Sequence, residues 1–275
     1  SKAAWPAAKK RSVIFRTRRR LFSKSSRRLH GNRNRENRLN HLKSAAAVSR
    51  IKKILITAGP TREMLDPVRF LSNLSTGEMG YALARAAVRG KYRVTLVSGP
   101  TALKPPAGVR YVPILSAAEL KKVLGRLFPQ HDMLIMSAAV CDFTVAAYRS
   151  RKMKRTADKI LRLKKTPDIV GALASKKGKK LVIGFCLETT PDWLERAARK
   201  MRLKHLDGIV ANRYCPGKHI PFGNRKVTVA LIDHGNKAHL LKSKAKPVIA
   251  RQIMGWAEKL RKYRFHYLKN EYNKE

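Results

Sequence analysis

The chain has 275 residues and 44% hydrophobic content, enough for one large α/β domain or two small ones with a buried core. No apolar run reaches the ~18 residues of a membrane-spanning helix. Its three cysteines, Cys141, Cys186 and Cys215, lack C-x-x-C or His-rich spacing, which disfavours a disulfide framework or zinc site and favours a reducing compartment. The net charge of +45 points to polyanions as company (nucleic acid, ribosomes or small phosphorylated substrates), unless the whole proteome is basic.

Residues 1–48 differ from the rest. They contain RTRRR and SRRLHGNRNRENRLNH, and the first fifty residues hold sixteen Lys and Arg against one acid, Glu36. Such an Arg- and Ser-rich, acid-poor stretch fits an organelle transit peptide, a disordered basic arm for nucleic acid, or a translation start placed too early. The last fits because VSRIKKILITAG, from Val48, reads as a natural beginning before a first strand. The expected organisation is a basic extension over residues 1–48 and a single α/β domain over residues 49–275.

From Lys52 the pattern alternates strand and helix. KKILITA (52–58) is a short apolar run ending in Gly-Pro, the pattern of a buried strand. An irregular stretch, 59–74, leads into a helix to about Gly90. YRVTLVSG (92–99) and VRYVPIL (109–115) predict two more strands, the second near a sheet edge because Pro113 interrupts it. Ser116 with Glu119 predicts a capping box opening the next helix. DMLIMSAAV (132–140) is the most apolar strand, and a polar, basic stretch runs from Cys141 to Lys165. Thr166-Pro167 predicts the start of a short helix, KLVIGFCLET (180–189) a strand, and Thr190-Pro191 a helix to about His205. DGIVANR (207–213) and KVTVALID (226–233) follow as strands, the latter antiparallel, and PVIARQIMGWAEKL (247–260) as a final helix. The fold class is therefore α/β, a Rossmann-like doubly wound, mainly parallel sheet with helices on both faces.

In such sheets ligands bind beyond the carboxyl ends of the strands. Those ends read TAGPTREMLDPVRFLSN, VSGP, SAAVCDF, FCLETT and VANRYC, and two lead into long loops of the functional kind. A dinucleotide site is disfavoured, because Gly77-x-x-Gly80 arrives far downstream of the first strand and no acid ends the second. A Walker A loop fails on spacing around Gly171 and Gly178-Lys179-Lys180. Ser75 and Glu78 fit a capping box, with Gly77 at the second helical position, where a ligand could approach free N–H groups that favour an anion. The basic run Arg151 to Arg155, with Lys164 and Lys165, reads as a solvated loop or as a cover over a polyphosphate. Lys200 and Lys204 share one helix face, where they repel unless an anion or water screens them.

Several segments in order then resemble bacterial phosphopantothenoylcysteine synthetase, often the carboxyl-terminal half of a bifunctional coenzyme A biosynthesis flavoprotein. They are Ile56-Thr-Ala-Gly-Pro-Thr-Arg-Glu63, Asp66-Pro-Val-Arg-Phe-Leu-Ser-Asn73, Ser75-Thr-Gly-Glu-Met-Gly80, Ala138-Ala-Val-Cys-Asp142, Lys152-Met-Lys-Arg155, Pro167-Asp-Ile169, Gly184-Phe185 with Glu188-Thr189, and Asp207 with Val210-Ala-Asn212. The resemblance covers roughly residues 50–240 and includes nothing matching the flavin-binding decarboxylase half. It implies a stand-alone ligase without flavin, joining 4′-phosphopantothenate and cysteine through an acyl-cytidylate, with CTP as co-substrate and release of CMP and pyrophosphate. Holding a carboxylate against a triphosphate demands charge neutralisation, which suits Mg²⁺, a basic loop and a helix amino terminus.

The resemblance further implies that Asn73, Arg69 and Lys152 are catalytic, with Arg69, Asn73 and Gly77 at the substrate and Lys152 in a mobile flap. It assigns Asp142, Lys152, Lys164, Lys165, Thr166, Pro167, Phe185, Lys200 and Lys204 to the nucleotide, and leaves the metal ligands open. It also implies a homodimer in the bacterial cytoplasm, or in an organelle if residues 1–48 are a transit peptide. No membrane partner is expected, and nucleic acid is a candidate partner of the basic extension alone. The alternative function is a basic nucleic-acid- or ribosome-associated protein on the same scaffold. The chain departs from the family pattern at Cys141, Phe143, Arg155 and Thr166, and at Glu78, an acid where a basic residue is usual.

Overall fold

The computed structural model describes residues 52–155, 160–235 and 237–272; the extension expected over residues 1–48 lies outside them. In chain order the first strands are β1 (Lys53–Ala58), β2 (Arg62–Met64), β3 (Phe70–Ser72), β4 (Arg93–Ser98), β5 (Val109–Pro113) and β6 (Met133–Met136). They are followed by β7 (Phe143–Val145), β8 (Leu163–Lys165), β9 (Leu181–Glu188), β10 (Gly208–Arg213), β11 (Val227–Asp233) and β12 (Ala238–Lys244). Eight of them form one sheet in the order β12-β11-β10-β9-β6-β1-β4-β5, while β2-β3 and β7-β8 are separate hairpins.

The stretch from β10 to β5 is parallel throughout, and β11 and β12 extend it antiparallel. Chain order reverses direction between β1 and β6. That switch point, with Pro60 bridged to Ala139 just beyond the strand ends, is where a doubly wound sheet opens a crevice for ligands. The expected fold class therefore forms, with Pro113 on the edge strand as anticipated.

Alternation along β1 sorts the core into two layers. Ile54 and Ile56 pack with α1 (Glu78–Arg89) and α5 (Lys246–Tyr272) on one face. Leu55 packs on the other face with α2 (Ala117–Leu127), α3 (Ile169–Ala174) and α4 (Trp193–Leu203). Burial on both sides explains why the central strands are uninterrupted apolar runs. Ser116 caps α2 as expected, its hydroxyl accepting from the Glu119 N–H at 3.2 Å, while the Glu119 carboxylate accepts from the Leu115 N–H at 2.8 Å.

Two helix starts differ from expectation. Asp168, rather than Thr166-Pro167, caps α3 by accepting from the Gly171 N–H at 3.1 Å, and α4 begins at Trp193 after Asp192 rather than at Thr190-Pro191. The strand β12 and both hairpins lie in stretches that read as irregular.

One buried carboxylate ties β9, β10 and the carboxyl-terminal helix together. Asp207, 2% exposed, accepts from the Val182 N–H at 2.8 Å, from Lys177 Nζ at 2.8 Å and from Arg264 Nη1 at 2.9 Å. Burial alone would raise its pKa, but these donors and His234 overcome burial and hold the carboxyl below its ordinary 3.8. A carboxylate with a depressed folded pKa contributes stability that is present above pH ~4 and lost as pH falls through the folded value. Asp207→Asn should therefore lower stability at pH 7 by about 3 kcal/mol, because it breaks a buried charge cluster. It should also flatten the loss of stability below pH ~4. Urea unfolding followed across pH checks both effects, and an unchanged midpoint would contradict them.

Candidate active site

The loops beyond β1 and β6 are fastened to each other. Oδ1 of Asp66, a fully buried carboxylate, accepts from the N–H groups of Val68 (2.8 Å) and Arg69 (2.9 Å) and so closes the β2-β3 turn. Its Oδ2 accepts from Arg69 Nη1 (3.0 Å) and from the Met153 N–H (3.2 Å). Arg69 Nη1 also donates to the Met153 carbonyl at 3.2 Å. The basic loop is thus anchored at the residue after Lys152, which itself remains exposed. Burial pushes the Asp66 carboxyl up, but the three N–H donors and the Arg69 guanidinium outweigh it and hold the pKa below 3.8.

The second hairpin is pinned by short polar contacts. The Thr61 hydroxyl accepts from the Cys141 N–H at 3.0 Å, and the Thr166 hydroxyl donates to the Cys141 carbonyl at 2.6 Å. The Thr166 N–H donates to the Asp142 carbonyl at 2.9 Å. Asn73 Nδ2 donates to the carbonyl of Ala139 at 3.0 Å, which sets it at the mouth of the β1/β6 crevice.

The start of α1 corrects the expected capping box. Ser75 and Glu78 do not cap each other; Gly77 is the N-cap, left-handed at φ 81°, and no side chain caps the helix. The Ser75 hydroxyl instead accepts from the Gly77 N–H at 3.4 Å. A left-handed N-cap suits glycine, and the first N–H groups of a helix lack intrahelical partners. The positive end of α1 is therefore open at the crevice. Gly80 has a different role: a Cβ there would lie 2.4 Å from the Ala58 Cβ and 2.8 Å from Ser137 Oγ, so α1 can approach β1 and β6 only with glycine at that position.

Two cavities meet at the crevice. The larger, about 480 Å³, has an apolar floor that includes Met136, Gly184 and Ile209, with Asp142, Lys165, Thr166, Pro167, Lys200 and Lys204 around it. The smaller, about 170 Å³, lies against Ser75 to Met79 and shares Ala138 and Phe185 with the larger. The volume of the first is ordinary for a small-molecule site. Lys200 and Lys204 do not stand as bare repelling cations: Lys200 Nζ reaches Glu188 at 3.0 Å and Lys204 Nζ reaches Asp168 at 2.9 Å. The structure thus gathers Asp142, Lys165, Thr166, Pro167, Phe185, Lys200 and Lys204 around one cavity. It sets Gly77 at the other, and leaves Lys152 and Lys164 on neighbouring exposed segments outside both linings.

Sequence reasoning missed Lys246 and gave no role to Asn212, which it had noted in the segment Val210-Ala-Asn212; both line the smaller cavity. Lys246 is 6% exposed and donates to the Gly223 carbonyl. Burial lowers the pKa of its ammonium, and Glu78, the acid at an unusual position, opposes that fall. Asn212 Oδ1 is buried without a hydrogen-bond partner, an acceptor held ready for a ligand donor. Cys186 lines the same cavity, where burial pushes its thiol up to about 12, and burial likewise raises Cys141. Neither is ionised near neutrality, so neither is a ready nucleophile.

The family described as DNA/pantothenate metabolism flavoprotein C-terminal domain matches residues 49–260. The Coenzyme A biosynthesis bifunctional protein CoaBC of Bacillus subtilis (strain 168) is 45% identical over 163 residues, covering 58% of this chain and 40% of that protein. A Cysteine/Cysteine sulfinic acid decarboxylase from an unknown prokaryotic organism is 39% identical over 207 residues, 74% of this chain and 57% of that protein. The crystal structure of the C-terminal domain of a Coenzyme A biosynthesis bifunctional protein CoaBC superposes with a TM-score of 0.65 at 37% identity, covering 76% of this chain and 95% of that one. The chain spans about half the length, or less, of the two curated relatives.

Two outcomes test this geometry. Gly80→Ala should destabilise the protein by about 2 kcal/mol or more through overpacking, seen in thermal unfolding, and should weaken ligand binding at the α1 terminus; a wild-type midpoint would contradict the close approach. Iodoacetamide at pH 8 should alkylate Cys215 in the native protein and all three cysteines after denaturation, since Cys141 and Cys186 are buried and Cys215 only half-buried. Fast native labelling of Cys186 would contradict its burial.

Proposed function

Because the chain belongs to the DNA/pantothenate metabolism flavoprotein C-terminal domain family, we propose that it is a ligase of 4′-phosphopantothenate and L-cysteine that uses CTP. The observation that carries this reading is the pair of joined cavities. A nucleoside-sized space adjoins, through Phe185 and Ala138, an open helix amino terminus with Asn73 beside it. In the proposed first step an oxygen of the phosphopantothenate carboxylate bonds to the α-phosphorus of CTP. The bond from that phosphorus to its bridging oxygen breaks, and pyrophosphate leaves with the electron pair. The amine of cysteine then bonds to the acyl carbon, CMP leaves, and a proton passes to solvent.

Each group has a proposed task. Phe185 and the floor of the larger cavity hold the nucleoside, with Asp142, Lys164, Lys165, Thr166 and Pro167 framing it. Lys200 and Lys204 supply positive charge, and Gly77 lets the phosphates reach the first N–H groups of α1. Asn73 and Arg69 hold the substrate carboxylate, and Lys152 reaches in from the loop that Asp66 anchors. The step needs charge neutralisation rather than a side-chain nucleophile, in keeping with the protonated state of Cys141 and Cys186. Among the described residues no three His, Cys, Asp or Glu side chains cluster as a metal site. That suits Mg²⁺ carried on the triphosphate with at most one or two protein carboxylates. Asp142, exposed beside the larger cavity, is the candidate, and Mg²⁺ would neutralise charge on the phosphates.

The catalytic unit is proposed to be residues 49–275, acting as a homodimer in the bacterial cytoplasm. Phe70, Leu74, Phe143 and Leu163, all 40% or more exposed on or beside the two hairpins, offer an apolar surface for a second copy. No described helix is long and apolar enough to cross a membrane.

Purified protein given 4′-phosphopantothenate, cysteine, Mg²⁺ and CTP should release pyrophosphate and CMP, with kcat/KM for CTP exceeding that for ATP by about tenfold, roughly 1.4 kcal/mol. No turnover with either nucleotide would defeat the proposal. Carbon dioxide released from cysteine without nucleotide would favour the activity for which one relative is named. Asn73→Asp, which sets a like charge against the substrate carboxylate, and Lys152→Gln should each lower kcat by about 100-fold. Near-normal rates for both variants would overturn the residue assignments.

A further inference from the structure

We propose that the amino-end edge of the sheet, opposite the candidate active site, is a docking surface for single-stranded nucleic acid. The parallel strands start there from basic residues: Lys52 and Lys53 at β1, Lys91 and Arg93 at β4, and Lys176 and Lys179 ahead of β9, all exposed. The acids at this edge among the described residues, Asp132, Asp207, Asp233 and Glu258, are outnumbered by these cations and are held within the fold. Asp132 accepts from the N–H groups of Lys52 and Lys53 at 2.8 and 2.9 Å. Asp207 is buried, Asp233 accepts from the Gly235 N–H at 3.0 Å, and Glu258 accepts from the Tyr92 hydroxyl at 2.5 Å.

A depression of about 520 Å³ lies within this edge, lined in part by Arg202, His205 and His234 and by Lys177 and Arg264, the two cations paired with Asp207. Tyr263, 77% exposed, precedes Arg264 on α5 and lies outside the lining of the depression. Six-residue β1 puts the two ends of the sheet roughly 20 Å apart. The charge at this edge therefore lies too far away to touch a substrate bound at the carboxyl ends. A basic surface with an exposed ring and exposed imidazoles suits a strand whose phosphates meet the lysines and whose bases are free to stack. A duplex, with its bases already stacked, would use the charge alone.

The test uses the full chain and a labelled single-stranded RNA of about 20 nucleotides, long enough for such a surface, with binding followed by fluorescence anisotropy over a salt series. Lys176→Glu with Lys179→Glu should raise Kd about tenfold and lower the slope of log K against log salt by about one or more. The charge-matched pair Lys121→Glu with Lys122→Glu, on the exposed side of α2, should stay within about twofold of wild type. Tyr263→Ala should weaken binding about fivefold with little change in slope. Circular dichroism and ligase turnover confirm that each variant is folded. Equal weakening by the two lysine pairs would overturn the proposal in favour of diffuse net charge. So would equal affinity for a duplex of the same length, or binding to anionic vesicles through Lys176 and Lys179 without binding to RNA.

Discussion

The Asp66 carboxylate is fully buried yet held in its charged form by three backbone N–H groups and one guanidinium. Those donors come from two loops that leave the sheet at different strands, β1 and β6. One side chain therefore closes the β2-β3 turn, orients Arg69 and fixes the backbone beside Lys152. If this carboxylate were protonated or removed, the two loops would lose their common anchor, and with it the alignment of Asn73 and the basic loop across the crevice. A buried charge with its donors supplied locally gives direction to loops that have little apolar surface of their own to bury.

Around the cavities, positive charge is kept close to negative charge. Lys200 rests on Glu188, Lys204 on Asp168, and Lys246 feels Glu78. Each ammonium is thereby held in position, so that under the proposed function a polyanion would meet charges already in place rather than flexible side chains that must be ordered. The carboxylates also spare the empty site the repulsion that lysines one turn apart would otherwise suffer. Glu78 acts on a buried lysine contributed by α5 and favours its charged form. Glu78 and Lys246 therefore bring opposite charges together at the terminus of α1.

The sheet was legible because burial on both faces leaves runs such as Ile54–Ala58 and Met133–Met136 without polar interruption, and because Pro113 could only lie at an edge. The hairpins were not legible, since strands of three residues carry no periodicity. The α1 cap was misread for a conformational reason: Ser75 and Glu78 have the right spacing, but Gly77 enters the left-handed region and starts the helix itself. The partners of Lys200 and Lys204 were hidden because Glu188 and Asp168 come from other elements. Lys246 escaped notice, and Asn212 was noted without a role, because their place at the site follows from how α5 and β10 pack. The resemblance supplied a list of residues; the fold gathers seven of them around one cavity, sets Gly77 at the other, and leaves Arg69, Asn73, Lys152 and Lys164 outside both linings.

The central claim is that the substrate carboxylate is activated at the α-phosphorus, with the enzyme providing charge and geometry rather than a nucleophile. Its most direct test is isotopic. 4′-Phosphopantothenate labelled with ¹⁸O in its carboxylate, turned over with CTP and cysteine, should deliver one labelled oxygen to CMP, seen as a two-dalton mass increase, and none to pyrophosphate. Label in inorganic phosphate with formation of CDP, or unlabelled CMP, would contradict the account.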